Sequence, residues 1–201
     1  MRMPPVVLAV ALLVTATLAA QPSGAPALIG AAESTLNGVA EVKGQVAVQI
    51  KGAPVAKRFV LRHPADATRW NGSLVIGAHG GSGGNNFDPT GTVIGTDETA
   101  LDDVIGRHAV ASGFAYASMD RDGAVSAREG LALTNQFAAM ATASVTSRLG
   151  RSPARLYLVG LSMGGGITRA AAEDPSRTYA GALIVAGAGG DLATRTARQG
   201  Q

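Results

Sequence analysis

The run Leu156-Tyr157-Leu158-Val159-Gly160-Leu161-Ser162-Met163-Gly164-Gly165-Gly166 constrains this chain more than any other stretch. An apolar strand signal enters a tight turn, a serine stands at its tip, and a helix-compatible run follows, which is the layout of a nucleophile elbow. Gly160 and Gly164 flank Ser162 two residues away on either side, where a sharp strand-to-helix turn crowds backbone against backbone. The helix behind the turn aims its free N–H groups and positive dipole end at the serine oxygen, which favours the charge that develops when a carbonyl is attacked. The pattern therefore points to acyl transfer. With 27 glycines in 201 residues, composition alone gives about 0.2 occurrences of G-x-S-x-G, so its strand-turn-helix context decides the reading.

The N-terminus carries Arg2, an uncharged apolar run from Val6 to Ala20, and then small and turn-forming residues through Ala25. Residues 1–25 read as a secretory signal peptide. The apolar core is shorter than the roughly 20 residues that span a bilayer, and no later segment is long and apolar enough, so stable membrane insertion is not expected after cleavage. No twin arginine precedes the run. The chain contains no cysteine, so neither lipid anchoring at a cysteine nor disulfides are open to it, and a packed core must provide stability. The expected destination is secreted or periplasmic. About 175 to 180 mature residues suffice for one domain. A formal charge of only +3, spread over mostly single basic residues with few aromatics, argues against a nucleic-acid partner.

Residues 26–42 are small and polar and read as a flexible linker, leaving residues 43–201 as the folded domain. Gln45 to Ile50 alternates as a half-buried strand does, and Lys57 to Arg62 makes an antiparallel partner across a turn at Gly52-Ala53-Pro54, giving a leading hairpin. Ser73 to Ala78 is a continuous apolar run, as in strands buried on both faces. Strand and helix signals then alternate: a helix from about Asp97 to Ala111 with an apolar stripe of Leu101, Val104, Ile105 and His108; a strand at Phe114 to Met119; a helix with a Ser126–Glu129 capping box, ending at Leu149 before Gly150; the elbow; and a buried strand at Ala182 to Ala186. This order predicts an α/β fold with a mostly parallel central sheet and flanking helices.

On Gly160-Leu161-Ser162-Met163-Gly164 and His79-Gly80-Gly81, the chain resembles the N-terminal half of an α/β hydrolase over roughly residues 43–187. In style it is similar to secreted bacterial esterases of the tannase, feruloyl-esterase and polyhydroxybutyrate-depolymerase kind. The resemblance implies that Ser162 is the nucleophile, that the N–H of Met163 is one oxyanion donor, and that the second comes from Gly80 or Gly81. It implies an ester substrate, small or polymeric, and no cofactor or metal. Gly81-Ser82-Gly83-Gly84 lacks the Gly-Lys-Ser/Thr of a phosphate loop.

The family's chain order is serine, acid, histidine, yet His63, His79 and His108 all precede Ser162. His63 reads as a surface turn residue, His79 as a shaper of the oxyanion loop, and His108 as a core or interface residue. Asp191 is the candidate acid within the chain; Asp120 and Asp122 read as pocket-floor or turn residues. The expectation is a fold truncated on its C-terminal side, with the histidine supplied from beyond Gln201 and a sheet edge and apolar surface left exposed near Val185. The alternatives are a non-catalytic binding domain on a hydrolase scaffold, or a peptidase or amidase.

Overall fold

Two adjacent residues with positive φ set the leading hairpin. Lys51 and Gly52 have φ of 50° and 82°, as a two-residue turn matched to the strand twist requires. They join β2 (Val39–Ile50) to β3 (Ala53–Pro64), which pair antiparallel from Val39↔Pro64 to Ile50↔Ala53. The turn thus lies one step earlier than the sequence suggests, and Pro54 sits at the start of β3. The coordinates are a computed structural model that describes residues 28–80, 85–87, 93–96, 99–121 and 125–187. The expected signal peptide lies outside these residues.

Residues 26–42 do not form the expected linker. β1 (Leu28–Leu36) pairs antiparallel with β2 through a second two-residue turn at Asn37 and Gly38, with φ of 52° and 76°. Asn-Gly is the strongest short hairpin signal. Small residues flanking it hid the strand from an apolar-period reading.

The remaining strands are β4 (Ser73–Ala78), β5 (Asn85–Phe87), β6 (Val93–Thr96), β7 (Ala115–Met119), β8 (Arg155–Leu161) and β9 (Gly181–Val185). The main sheet runs β1-β2-β3-β7-β4-β8-β9, with β5 and β6 forming a separate pair. β7, β4, β8 and β9 are mutually parallel, whereas β3 joins β7 antiparallel. The predicted mostly parallel sheet with a leading hairpin is therefore present.

Alternation along the strands divides the core in two. Leu74, Ile76, Ala115, Ala117 and Leu158 face α2 (Ala127–Leu149) and α3 (Met163–Glu173). Val60, Tyr116 and Val159 face the opposite way, against Leu101, Ala109 and Val110. α2 is bounded as its sequence predicts: Ser126 and Glu129 form a reciprocal capping box, and Gly150 ends the helix at φ 75°.

The helix expected from Asp97 to Ala111 begins instead as a π-helical segment, Thr99–Gly106, and only then becomes α1 (Arg107–Ala111). The wider turn breaks the 3.6-residue stripe. Leu101 is fully buried, but Val104 is 63% exposed and His108 is exposed. At β9 two expectations divide: the strand is present, but as the exposed edge expected near Val185 and not as the buried strand read from Ala182 to Ala186. It is the sheet's edge strand among the described residues, and Leu183 and Ile184 are exposed rather than buried.

Candidate active site

Parallel strands bring their carboxyl ends to one edge of a sheet, where open α/β folds place their ligand crevice. Here that edge collects Gly80 after β4, Asp120 after β7 and Ser162 after β8. The chain goes from β4 to β7 on one side and reaches β8 on the other side of β4, so Gly80 lies at the switch point.

Ser162 is exposed and has φ 55° and ψ −114°, a conformation disfavoured for a residue with a Cβ. Its surroundings impose the turn. The Ser162 N–H donates to the carbonyl of Val185 at 2.9 Å, and the Gly165 N–H closes the first helical turn onto the Ser162 carbonyl at 2.9 Å. A Cβ on Gly160 would stand 2.5 Å from the Gly164 carbonyl carbon. A Cβ on Gly164 would stand 2.7 Å from the His79 carbonyl oxygen and closer still to that of Ala78. Thr168, fully buried, donates its hydroxyl to the Gly164 carbonyl at 3.0 Å. The two motif glycines are therefore packing requirements, and the second one presses the elbow against the chain that leads into Gly80.

Met163 is the first residue of α3 and half exposed, so its N–H is among the donors a helix start leaves without an intrahelical partner. Gly80, two residues past the end of β4, is buried. Gly81 and Asp191, the other predicted site residues, lie outside the described residues, as does Asp122. Asp120 accepts from Arg58 Nε at 2.7 Å.

The three histidines lie apart from Ser162's edge or are otherwise engaged. His63 is 7% exposed and not the surface turn residue expected, and its Nδ1 lies 2.8 Å from the Pro64 carbonyl oxygen. β3 runs antiparallel to β7, so His63 stands at the opposite edge of the sheet from Ser162. His108 belongs to α1, which leads into the start of β7, and so lies at that opposite edge too. His79 is 2% exposed, and its Nε2 lies 3.2 Å and 3.1 Å from the two carboxylate oxygens of Asp102.

Asp102 is the residue that sequence reasoning missed. It sits in the π-helical segment, 4% exposed, and its Oδ1 accepts hydrogen bonds from Tyr116 Oη and Ser118 Oγ, each at 2.6 Å. Arg62, 2% exposed, donates to the Asp102 main-chain oxygen, to Glu41 at 2.6 Å and to Asp103 at 3.1 Å. Arg62, Ser118 and His79 interrupt apolar strand runs at positions that face the π-helical segment, the one signal that could have found the cluster. Arg62, His79 and Asp102 help to line a cavity of about 610 Å³ together with Arg58, Phe59 and Asp120.

Burial pushes the Asp102 carboxyl up, but hydrogen bonds and charge from His79, and then hydrogen bonds from Ser118 and Tyr116, outweigh it and hold its pKa below the ordinary 3.8. Glu41 behaves alike: burial raises it, Arg62 and Lys43 lower it, and the result lies below 4.5. Groups depressed in the folded state contribute stability that is complete above their unfolded values and is lost as the pH falls through their folded values. The melting temperature is therefore expected to stay level down to about pH 5 and to fall progressively below it, less steeply in Glu41→Gln. A melting temperature unchanged between pH 5 and pH 3 would contradict this.

No family model and no curated protein sequence matches the chain. Among solved structures, a cold-adapted esterase from an Arctic intertidal metagenomic library, in complex with polyethylene glycol, aligns at a TM-score of 0.51 and 18% identity, over 79% of this chain and 64% of its own. A protein of Legionella pneumophila subsp. pneumophila described as a hydrolase aligns at 0.53 and 16% identity, over 76% of this chain and 44% of its own. The chain thus spans less than two thirds of either. No helix among the described residues is long and apolar enough to cross a membrane. A mostly parallel sheet, a leading antiparallel hairpin, a strained serine between β8 and α3 and these two alignments agree: the chain has the α/β-hydrolase fold.

Proposed function

We propose that this chain is the nucleophile-bearing part of a secreted serine hydrolase that cleaves carboxylic esters through an acyl-enzyme on Ser162. The backbone of Ser162 carries the reading: an exposed serine held at φ 55° between two glycines that tolerate no side chain. Strain at a position fixed by its surroundings is characteristic of functional sites. Ser162 Oγ attacks the ester carbonyl carbon, and the oxyanion that forms accepts hydrogen bonds from the Met163 N–H and from Gly80 or Gly81. The intermediate collapses with loss of the alcohol, leaving the acyl group on Oγ. Water then attacks the acyl-enzyme and releases the acid.

The base that takes the Ser162 proton and returns it to the leaving alcohol comes from outside residues 1–201, and the acid that orients it is either Asp191 or comes from there too. His63 and His108 stand at the wrong edge of the sheet and His79 is engaged by Asp102, which supports this assignment. Substrates are small or polymeric esters, no cofactor takes part, and residues 1–25 direct the protein out of the cytoplasm.

The test is pre-steady-state hydrolysis of a nitrophenyl acetate by the full-length protein. A burst of nitrophenolate stoichiometric with enzyme, absent in Ser162→Ala, is expected. Turnover that is insensitive to Ser162→Ala would overturn the proposal.

A further inference from the structure

The catalytic scheme above uses Gly80 but leaves unexplained a buried ionic cluster beside it. We propose that Asp102 and His79 form a clamp that fixes the main chain entering Gly80 against the elbow, which makes both of them positioning residues for the oxyanion donors. The role assigned to Gly80 rests on the Ser162 reading; the clamp itself rests on geometry alone.

His79 has two sides. Its main-chain oxygen abuts Gly164, at a place where a Cβ would come within 2.7 Å. Its imidazole points the other way, with Nε2 shared between both oxygens of the Asp102 carboxylate at 3.1 Å and 3.2 Å. The residue immediately before Gly80 therefore touches the nucleophile's helix with its backbone and a buried carboxylate with its ring.

Asp102 is itself held from two strands, its carboxylate from one and its main chain from the other. Tyr116 and Ser118 on β7 each donate to Oδ1 at 2.6 Å, and Arg62 on β3 donates to the Asp102 main-chain oxygen. Arg62 is tied in turn to Glu41 on β2 and to Asp103. Room for the Tyr116 ring depends on two glycines: a Cβ on Gly77 would stand 3.0 Å from the ring's Cζ, and one on Gly106 2.7 Å from its Cε1. Every partner is drawn from a rigid element of the sheet or from the segment packed on it.

A buried carboxylate is costly to desolvate, and well-packed apolar residues often replace such groups without loss of stability. What an ionic cluster supplies that apolar packing does not is directional restraint. Oxyanion donors need it, because a misplacement of about 1 Å can cost about 100-fold in rate. Glycine at position 80 brings little rotational restraint of its own, and the neighbouring side chain that can supply it is that of His79.

The experiment compares the full-length wild type with Asp102→Asn, His79→Leu, His79→Gln and Ser118→Ala. Two quantities are read: the saturating rate and half-saturation concentration for phosphonylation by a fluorophosphonate, and amide hydrogen exchange over residues 78–80. Asp102→Asn and His79→Leu should lower the saturating rate by about 10- to 100-fold with little change in half-saturation concentration, and should speed exchange at 78–80. His79→Gln, whose side-chain amide can donate where Nε2 does, should stay within about threefold of wild type.

Should Asp102→Asn not fold, Ser118→Ala, which removes one of the donors to Oδ1, is expected to show the same changes in smaller degree. Wild-type labelling and exchange rates in Asp102→Asn, or in Ser118→Ala if that variant replaces it, would overturn the clamp. So would equal effects of His79→Gln and His79→Leu. A wild type that does not label would instead overturn the Ser162 reading, and the exchange rates would still decide the clamp.

Discussion

Replacing Ser162 by glycine is expected to make the protein more stable while abolishing its activity. The serine sits at φ 55° and ψ −114°, where a Cβ is disfavoured and glycine is not, and such strain costs about 1–3 kcal/mol. Glycine gives back about 0.5–1 kcal/mol through the greater freedom of the unfolded chain, which leaves a net gain of about 1 kcal/mol. For a domain of this size that corresponds to a rise of about 2–4 °C in melting temperature. Ser162→Ala keeps the Cβ and the strain, so its stability should remain within about 0.5 kcal/mol of wild type. Both variants should lose about 10⁴- to 10⁶-fold in turnover, as loss of a triad nucleophile does. Thermal melts with nitrophenyl ester assays check both halves. A glycine variant less stable than the alanine variant would mean that the surroundings do not impose the turn.

The largest stability effect is expected at Gly164. Alanine there would drive a methyl group into the carbonyl oxygens of Ala78 and His79, which are main-chain atoms of a central strand and its exit and cannot swing aside. Overpacking against backbone should cost more than about 3 kcal/mol, or prevent folding. Gly166, two residues further along the same helix and on its other side, provides the contrast. A Cβ there meets only the Ala127 side chain, at 3.8 Å, and alanine is favoured over glycine in a helix by about 1 kcal/mol. Gly166→Ala should therefore be neutral or stabilising. Urea midpoints for the two variants, measured side by side, separate a packing requirement from a general preference for glycine. Equal midpoints would refute the tight approach of the elbow to β4.

Local signals were legible wherever one element carries its own punctuation. Ser126 and Glu129 announce the start of α2 and Gly150 its end. The apolar run Ser73 to Ala78 is β4, residue for residue. The G-x-S-x-G run predicts both the strand and the helix that the structure places around Ser162. β1 escaped because its residues are small and its register comes from Asn37-Gly38 rather than from an apolar period. The apolar run Leu183-Ile184-Val185 predicts a strand at β9 but does not say whether a neighbour covers it, and only the family's strand order leads one to expect an exposed edge there.

The Asp102 cluster was illegible for a different reason. Its partners, Arg62, His79, Tyr116 and Ser118, lie 14 to 40 residues from Asp102. They meet only because β3, β4 and β7 are neighbours and because the π-helical turn presents Asp102 to them. The expected α-helical period would have assigned that face to Val104 and His108, which the structure exposes. Pairings created by sheet order and by a non-standard helix leave no spacing to read.

The central claim, that Ser162 is an activated nucleophile, is tested most directly by reacting the folded full-length protein with a fluorophosphonate and mapping the adduct by peptide mass. The account predicts one adduct, on the peptide containing Ser162, and none in Ser162→Ala. A cooperatively folded protein that takes up no label at Ser162 would contradict it.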